Sequence, residues 1–301
     1  MTHGISAIVI AYNQRDLLEK CLASLKDWVN EIIVIDLMSQ DNIAEIAKQY
    51  GAKYHLLPHV DVVELVRQKT IPYAKYDYIF FVDPDETIPT TLAKELVRLT
   101  KEGNVDYFET PRQNYVFGAW VKASRWWPDY QVRFFKKGAL TWPKRLHAQP
   151  IVKGISHHFA PDPAYALIHQ NYSNLDEWFE KNRRYAKSDA QNRLDSNEEF
   201  NLFVAMRLSI SEFVSRYFAG RGVNDGMRGL ILAILQSFYY FLVYAYYWEG
   251  KKYAELEDPK SLHNFPRSWF SHGLSEIMHW DSAKMNFVKK IKSKFVRKMI
   301  A

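Results

Sequence analysis

The sequence predicts an α/β protein in which a doubly wound, mostly parallel sheet precedes an α-helical, membrane-associating C-terminal region. Two observations predict this fold class. In the first part of the chain, short apolar runs typical of buried strands alternate with amphipathic helical patterns, which favours a parallel sheet. Residues 229–248 instead contain no charged side chain and are long enough to cross a bilayer.

Three short apolar runs are predicted to be strands of the sheet, and amphipathic helical patterns follow the first two. The runs and the polar residues that end them are residues 6–12 with Asn13, residues 31–35 with Asp36, and residues 79–82 with Asp83. In open α/β sheets, ligands bind outside the carboxyl ends of the strands. We therefore expect these polar residues to line one crevice.

The third run leads directly into an acidic cluster, Asp83-Pro84-Asp85-Glu86. Two carboxylates one residue apart repel each other and are costly to desolvate together, so a cation is their natural partner. Hard oxygen ligands favour Mg²⁺ or Mn²⁺, which commonly join a protein to phosphates. An acidic turn that caps a helix is the alternative interpretation of the same residues.

No glycine-rich phosphate-binding motif follows the first predicted strand, which argues against dinucleotide-binding and P-loop proteins. The order of the other motifs resembles the family 2 glycosyltransferases of GT-A fold. The motifs that carry the resemblance are Ala11-Tyr12-Asn13, Asp36 with Ser39 and Asp41, Arg67, Asp83-Pro84-Asp85, and Asp129-Tyr130-Gln131-Val132-Arg133-Phe134-Phe135. The last block is similar to one found in bacterial lipopolysaccharide-core glucosyltransferases.

The resemblance implies a nucleotide-sugar donor, expected to be a UDP-sugar, whose diphosphate is bound through Mg²⁺ or Mn²⁺. The residues that it assigns to the nucleotide are Ala11, Tyr12, Asn13, Asp36, Arg67 and Asp83. It assigns the metal to Asp83 and Asp85, with Asp85 as the more direct ligand. Two alternatives stay open: Asp36 as a former of the strand-end turn, and Arg67 as a solvent-facing helix residue.

The chain departs from the family pattern where many relatives carry a His-Glu pair, because it reads Leu146-His147-Ala148-Gln149. An inverting transfer needs a general base unless the acceptor is already an anion such as a phosphate. Asp129 is the first candidate for this base, His147 the second and Glu86 a remote third. His147 could instead be a third metal ligand.

Two residues of the block that begins at Asp129 are candidates for contacts to the acceptor or to a phosphate. They are Gln131 and Arg133, the latter because a guanidinium group can hold a phosphate through two hydrogen bonds. With Asp129 and His147, they complete the set of residues to which we assign catalytic roles.

Composition favours a reducing, cytoplasmic location. The only cysteine among the 301 residues is Cys21, which excludes an internal disulfide. The amino terminus enters the first predicted strand without a signal-peptide pattern, so we expect the protein to stay in the cytoplasm. The net charge of +6 is concentrated locally and no nucleic-acid-binding module is visible, so we expect no nucleic-acid partner.

The C-terminal half is predicted to be helical and to hold the protein at the membrane. We predict one helix from the capping pattern at Ser173 to about residue 193, and a second over residues 199–218. Residues 229–248 are rich in tyrosine and have basic flanks, and residues 284–301 form a basic amphipathic pattern. These features predict peripheral or monotopic attachment to the anionic inner leaflet; a buried interdomain helix is the alternative.

The predicted domains are residues 1–155 for catalysis, residues 156–225 for a helical extension on the acceptor side, and residues 226–301 for the membrane. We expect a metal-dependent, inverting glycosyltransferase that acts on a lipid-linked glycan in cell-envelope synthesis. A polyprenyl-phosphate glycosyltransferase is one alternative, and a noncatalytic binding protein with the same fold is another.

Overall fold

The computed structural model describes residues 2–60, 63–143 and 150–282, and the chain divides into two compact units. One unit comprises Met1–Trp120 and Trp127–Ser173. The other comprises Val121–Trp126 and Asn174–Ala301. The predicted division at residues 155 and 225 stays a prediction.

A mixed sheet forms the first unit. Its strands and those of a small second sheet are β1 (Thr2–Ala11), β2 (Glu31–Asp36), β3 (Lys53–Leu56), β4 (Tyr76–Val82), β5 (Glu86–Thr87), β6 (Tyr107–Val116), β7 (Ala119–Trp120), β8 (Asp129–Lys136), β9 (Leu140–Thr141), β10 (Ile151–Val152), β11 (Ser156–His158) and β12 (Leu167–Tyr172). The order is β3–β2–β1–β4–β8–β6–β12–β5, with β7 and β11 also paired to β6 and with β9 and β10 forming the separate pair. Strands β1 to β4 are parallel, whereas β8 runs antiparallel to β4 and β6.

Helices cover the sheet and build the second unit. They are α1 (Arg15–Leu25), α2 (Ile43–Gln49), α3 (Glu64–Thr70), α4 (Thr90–Glu102), α5 (Leu175–Asp195), α6 (Leu202–Val214), α7 (Gly226–Gly250) and α8 (Pro259–Ser282). The predicted strand–helix alternation is confirmed for the first part of the chain. Helix α8 was not predicted.

Strand β1 explains why the predicted strands are uninterrupted apolar runs. Ala7 and Val9 belong to one buried apolar cluster, whereas Ile8 and Ile10 belong to another. Because successive side chains of a strand point to opposite faces, both faces of the sheet are covered. The polar chain segments are therefore left at the ends of the strands.

In the second unit, α7 packs one face against α5 and α6. Its buried side chains Val243, Tyr244 and Tyr247 meet Ala190 and Phe200 in an apolar cluster. The opposite face of α7 carries exposed apolar side chains. The helix is thus apolar on the face that the protein buries and on the face that it leaves open.

Three local predictions differ from the structure. Helix α5 is capped by Asn174, whose side chain accepts from the backbone N–H of Glu177, and not by Ser173. Helix α6 begins at Leu202, because Asn201 caps it, and a π-helical turn over Ser215–Ala219 follows it. Residues 156–158 fall in the region that was predicted as a helical extension, yet they form β11, because β6 offers them an edge for parallel pairing.

Candidate functional site

The loops after β1 and β2 are hydrogen-bonded to each other at the carboxyl edge of the sheet. The side-chain oxygen of Asn13 accepts from the backbone N–H of Gln40 at 2.8 Å, and its own N–H donates to Ser39 Oγ at 3.0 Å. The N–H of Ser39 donates to Asp36 Oδ1 at 2.8 Å. Asn13 has a φ of 51°, a conformation that asparagine tolerates well. The structure therefore brings Asn13 and Asp36 together.

Aromatic side chains surround this part of the edge. The hydroxyl of Tyr54 donates to Asp36 Oδ2 at 2.6 Å. Burial and the neighbouring Asp36 carboxylate raise the pKa of Tyr54 to about 12. The ring of Tyr12 lies 4.1 Å from the ring of His59. These groups place aromatic rings near a carboxylate, a combination that suits a planar heterocycle with hydrogen-bond donors.

Asp83 is held by two arginines. Its Oδ1 lies 2.6 Å from Arg67 Nη2, and its Oδ2 lies 3.3 Å from Arg133 Nη2. Burial raises the pKa of Asp83, but Arg67 and Arg133 outweigh burial and lower it to about 2. Arg67 is only 2% exposed, so it is not a solvent-facing residue. Asp83 is thus ionised, and each of its oxygens faces a guanidinium group.

Asp85 faces His169, which belongs to β12, the last strand of the first unit. Its Oδ2 lies 3.4 Å from Nε2 of His169, and both residues are buried. The backbone carbonyl of Asp85 accepts from Gln170 N–H at 2.8 Å. This contact extends the pairing of β5 with β12, in which Glu86 is opposite His169. Strand β12 therefore places a ring nitrogen next to the predicted metal-binding acid.

Glu86 is fully buried and supports the acidic loop from inside. Its Oε2 accepts from the backbone N–H of Asp83 at 3.1 Å, and its Oε1 lies 3.3 Å from Arg112 Nη1. Burial and the Asp83 carboxylate raise the pKa of Glu86. A side chain with no exposed surface cannot reach an acceptor directly, so its observed role is to shape the loop.

Asp129 begins β8 and carries several hydrogen bonds. Its Oδ2 lies 2.7 Å from Arg112 Nη2 and accepts from Asn114 Nδ2 at 3.1 Å, while its Oδ1 accepts from Gln131 Nε2 at 2.8 Å. Burial raises the pKa of Asp129, but Arg112 and the amide donors outweigh burial and lower it. The side chain is 26% exposed. It is therefore an ionised carboxylate that a substrate can reach, although a weak base.

The predicted site residues divide into three groups. Ala11, Tyr12, Asn13 and Asp36 lie at one part of the edge, and Arg67, Asp83 and Arg133 form one ion-pair cluster. Asp129 and Gln131 are hydrogen-bonded to each other. His147, predicted as base or metal ligand, lies outside the described residues.

A divalent cation fits the chemistry of the groups at this edge. Within residues 2–60, 63–143 and 150–282, no group of three or more His, Cys, Asp or Glu side chains has metal-ligand geometry. Asp85 and His169 nevertheless face each other with an oxygen and a nitrogen, a donor pair that Mn²⁺ accepts. The neighbouring ionisable groups are the carboxyls of Asp83, Asp85, Glu86 and Asp129 and the guanidiniums of Arg67, Arg112 and Arg133.

Four residues of this site were not predicted: Tyr54, Arg112, Asn114 and His169. Arg112 and Asn114 are polar side chains inside β6, and His169 is one inside β12. Buried polar residues in an otherwise strand-like pattern are the signal that could have identified them, because such groups need partners. Tyr54 gave no such signal.

Curated relatives match about a third of this chain. An uncharacterized glycosyltransferase of Escherichia coli K12, YibD, is 33% identical over 115 residues, which cover 35% of this chain and 33% of that protein. A poly(ribitol-phosphate) beta-glucosyltransferase of Bacillus spizizenii is 33% identical over 116 residues, which cover 34% of this chain and 18% of that enzyme. The chain therefore spans a third or less of the length of these two relatives.

Solved structures of similar chains include the TarS protein of Staphylococcus aureus, residues 1–349, in complex with UDP. It is 15% identical with a TM-score of 0.46, and the match covers 85% of this chain and 93% of that one. The sequence model of Glycosyl transferase family 2 matches residues 6–160, slightly more than half of the chain. The protein belongs to glycosyl transferase family 2 and has a GT-A fold.

Proposed function

We propose that the protein is a metal-dependent glycosyltransferase that moves a sugar from a UDP-sugar to a lipid-linked glycan at a membrane surface. The observation that carries this proposal is that Asp36 and the Asp83 cluster with Arg67 and Arg133 lie at the carboxyl ends of parallel strands on either side of β1, with the Asp85–His169 pair next to Asp83 in the chain. Carboxylates with aromatic rings suit a nucleoside, and arginines with acids suit a metal-bound diphosphate.

The arginines are well arranged for the donor diphosphate. Nε of Arg133 is buried and has no hydrogen-bond partner among the described residues. Burial and the neighbouring Arg67 lower the pKa of Arg133, which reflects two positive charges held close together. An anion bound between them would relieve that repulsion and satisfy the Nε–H donor. A diphosphate is an anion of suitable charge and geometry.

Asp85 and His169 would hold the divalent cation, Mg²⁺ or Mn²⁺. When bound, the cation would neutralise the charge that accumulates on the departing nucleoside diphosphate. Asp83 keeps Arg67 and Arg133 oriented toward the same region. In this proposal Asp83 acts mainly through the arginines, and Asp85 provides the more direct metal contact.

Asp129 remains the leading candidate for the base that removes the proton of the acceptor hydroxyl. It is ionised and partly exposed, as that role requires. Gln131 holds one of its oxygens and fixes its orientation. We propose inversion at the sugar carbon, with Asp129 on the acceptor side, and His147 stays the second candidate.

A second function is favoured by the same carboxylate. Its lowered pKa makes Asp129 a weak base, which matters little if the acceptor is already an anion. Transfer to a phosphate group, as in a polyprenyl-phosphate glycosyltransferase, is therefore the alternative to transfer to a sugar hydroxyl.

Helix α7 supports attachment to a membrane. Residues Gly222–Gly250 form the only helix in the described ranges that is long and apolar enough to cross a bilayer, and 28% of its apolar window is buried in protein. One stripe along α7 is 37–72% exposed and entirely apolar; it consists of Met227, Ile231, Ile234, Phe238, Phe241 and Trp248. We call these six residues the α7 stripe. We propose that the stripe enters the inner leaflet while the opposite face stays packed on protein.

The test is a screen of nucleotide sugars with the purified, detergent-solubilised protein. Release of nucleoside diphosphate is measured with Mn²⁺, with Mg²⁺ and with excess EDTA. The proposal expects one UDP-sugar to be hydrolysed or transferred only when the metal is present. Equal turnover in EDTA would contradict the metal dependence. If UDP does not bind, the noncatalytic alternative is favoured.

A further inference from the structure

Asn114 is a fully buried amide near the carboxyl end of β6 and connects two parts of the site. Its Nδ2 donates to Asp129 Oδ2 at 3.1 Å, and its Oδ1 lies 2.7 Å from Nδ1 of His169. The amide of Asn171 also approaches Oδ1, at 3.4 Å. Asp129 and His169 are thus joined through one side chain, although neither belongs to the same strand as Asn114.

The carboxylate of Asp129 determines which way the amide of Asn114 points. An ionised carboxylate accepts hydrogen bonds and cannot donate them. Arg112 and the amide donors hold Asp129 in the ionised form. The atom of Asn114 that faces Asp129 must therefore be the NH₂ group, so the amide oxygen faces His169. The donor Nδ2 of Asn171 beside that oxygen agrees with this orientation.

The amide oxygen in turn determines which ring nitrogen of His169 carries the proton. A carbonyl oxygen 2.7 Å from Nδ1 requires a donor there, so Nδ1 is protonated. In the neutral ring, Nε2 then presents its lone pair toward Asp85 Oδ2, 3.4 Å away. Two electron-rich atoms face each other at this point, an arrangement that a shared cation stabilises.

We propose that Asn114 is a positioning residue that holds His169 in the Nδ1–H tautomer, so that Nε2 is available to a divalent cation next to Asp85. The inference rests on the metal site proposed above and deepens it. Asp129 contributes by fixing the amide of Asn114, a role separate from proton removal. Outer hydrogen bonds of this kind are worth about 10–100-fold in metal affinity.

The tautomer is measured first, because this test needs no variant of Asn114. Protein labelled with ¹⁵N only in its histidines is kept metal-free at pH 8, and two-bond ¹H–¹⁵N spectra are recorded. The signals of His169 among the 10 histidines are assigned by comparison with His169→Gln. The proposal expects a protonated Nδ1 and an unprotonated Nε2. An Nε2–H tautomer, or a ring protonated at both nitrogens, would overturn it.

Metal affinity is measured second, by calorimetric titration of MnCl₂ with and without UDP. Asn114→Leu should weaken Mn²⁺ binding at least about tenfold. Gln113→Leu is the matched control, because it removes a buried amide from the same strand that bonds Tyr115 instead. It should bind Mn²⁺ as the parent does. Wild-type affinity in a folded Asn114→Leu would overturn the assignment.

Exchanging the residues at positions 114 and 129 tests whether Asn114 affects metal binding through its hydrogen bonds to Asp129 and His169. Asp129→Asn alone should weaken Mn²⁺ binding, because the amide of Asn114 is no longer forced to one orientation. Adding Asn114→Asp restores a carboxylate acceptor for His169 beside an amide donor at 129, so Mn²⁺ affinity should recover. If Mn²⁺ binding does not recover, the relay through Asn114 is wrong. If the parent protein binds no Mn²⁺, or His169→Gln leaves its affinity unchanged, the proposed metal site itself fails.

Discussion

Arg67 and Asp83 form an ion pair in which the guanidinium is buried and the carboxylate stays partly exposed. Their closest atoms, Nη2 and Oδ1, are 2.6 Å apart. The same guanidinium lies 5.8 Å from the centre of the Trp142 ring. An arginine held in this way has its charge fixed toward the site, which is the arrangement needed to receive an anion without reorganisation.

Replacing Arg67 with glutamine should weaken both donor binding and folding. The change leaves Asp83 with Arg133 as its remaining guanidinium partner, and losing a buried partner costs on the order of 2 kcal/mol or more. The KM for the donor should rise and the thermal unfolding midpoint should fall. Arg98→Gln is the control, since that exposed arginine pairs only at the surface of α4. Equal effects of the two changes would contradict a special role for Arg67.

Removing the proposed metal ligands should abolish turnover without unfolding the protein. Asp85→Asn and His169→Gln should each lower the rate by about a hundredfold or more, because charge on the leaving diphosphate loses its stabilisation. Steady-state release of UDP measures the rate, and EDTA treatment of the parent should have the same effect. Asp27→Asn, which alters an exposed acid, should change neither. Full activity of either site variant would argue against that ligand.

Replacing Asp129 with asparagine distinguishes a hydroxyl acceptor from an anionic one. If Asp129 is the base, the rate at saturating Mn²⁺ should fall at least about a hundredfold, while the affinity for UDP under the same conditions changes little. Single-turnover kinetics separates the chemical step from binding. If the rate of Asp129→Asn falls only as much as its weaker Mn²⁺ binding explains, no base has been lost, and an anionic acceptor is favoured. His147→Ala is the paired variant, and a loss confined to it would reverse the order of the candidates.

The pH dependence of the protein's stability should reveal the contribution of the Glu31 carboxylate. Glu31 is a buried acid at the start of β2, the end away from the carboxyl edge. Burial raises its pKa, but hydrogen bonds from Lys53, the Lys75 N–H and Ser6 outweigh burial and lower it below 4.5. A lowered folded-state pKa contributes stability above the unfolded value, and this contribution is lost as the pH falls. Glu31→Gln should therefore cost about 1 kcal/mol or more at pH 7. The difference from the parent should shrink below pH 4.5.

Thermal unfolding at a series of pH values measures this effect. Because Glu31 lies away from the carboxyl edge, kcat of the folded variant should stay at the parent value. A stability difference that is constant from pH 7 to pH 3 would show that the carboxylate charge of Glu31 is not what stabilises the sheet.

The α7 stripe should be needed for membrane binding even in high salt. Changing Ile234, Phe238 and Phe241 to glutamine should release the protein from anionic vesicles, because each buried apolar side chain contributes about 1.5–3 kcal/mol. Flotation in 0.5 M salt removes most of the electrostatic attraction. The control changes Ile151 and Ile155, which are apolar and even more exposed but belong to the other unit, to glutamine. Vesicle binding that survives the triple change would contradict the proposed surface.

Labelling of a single introduced cysteine distinguishes a monotopic protein from one that crosses the bilayer. Cys21 is buried and is the only cysteine of the sequence, so a Ser282→Cys variant adds a single new thiol as the target of the reagent. An impermeant maleimide applied to intact cells should leave it unlabelled and should label it after lysis. Labelling in intact cells would show that the chain crosses.

Much of the catalytic fold could be predicted because its evidence is local. The apolar runs that become β1, β2 and β4 are buried on both faces, so the pattern that predicts them needs no knowledge of distant residues. The acids that end two of them, Asp36 and Asp83, follow from the same pattern. The residue that caps helix α5 could not be predicted in the same way. Ser173 and Asn174 are both good N-caps, and the backbone conformation in the folded protein selects Asn174.

The sequence by itself determined the parallel strands, the polar residues at their ends and the uncharged helix α7, since each depends on periodicity within a short segment. The tertiary structure alone decided which side chains complete the site. Asn114, Asp129 and His169 come from β6, β8 and β12, and they meet because β8 and β12 both pair with β6. Strand order depends on packing between distant segments, and no local pattern encodes it. The contact between His169 and Asp85 is therefore a property of the folded sheet.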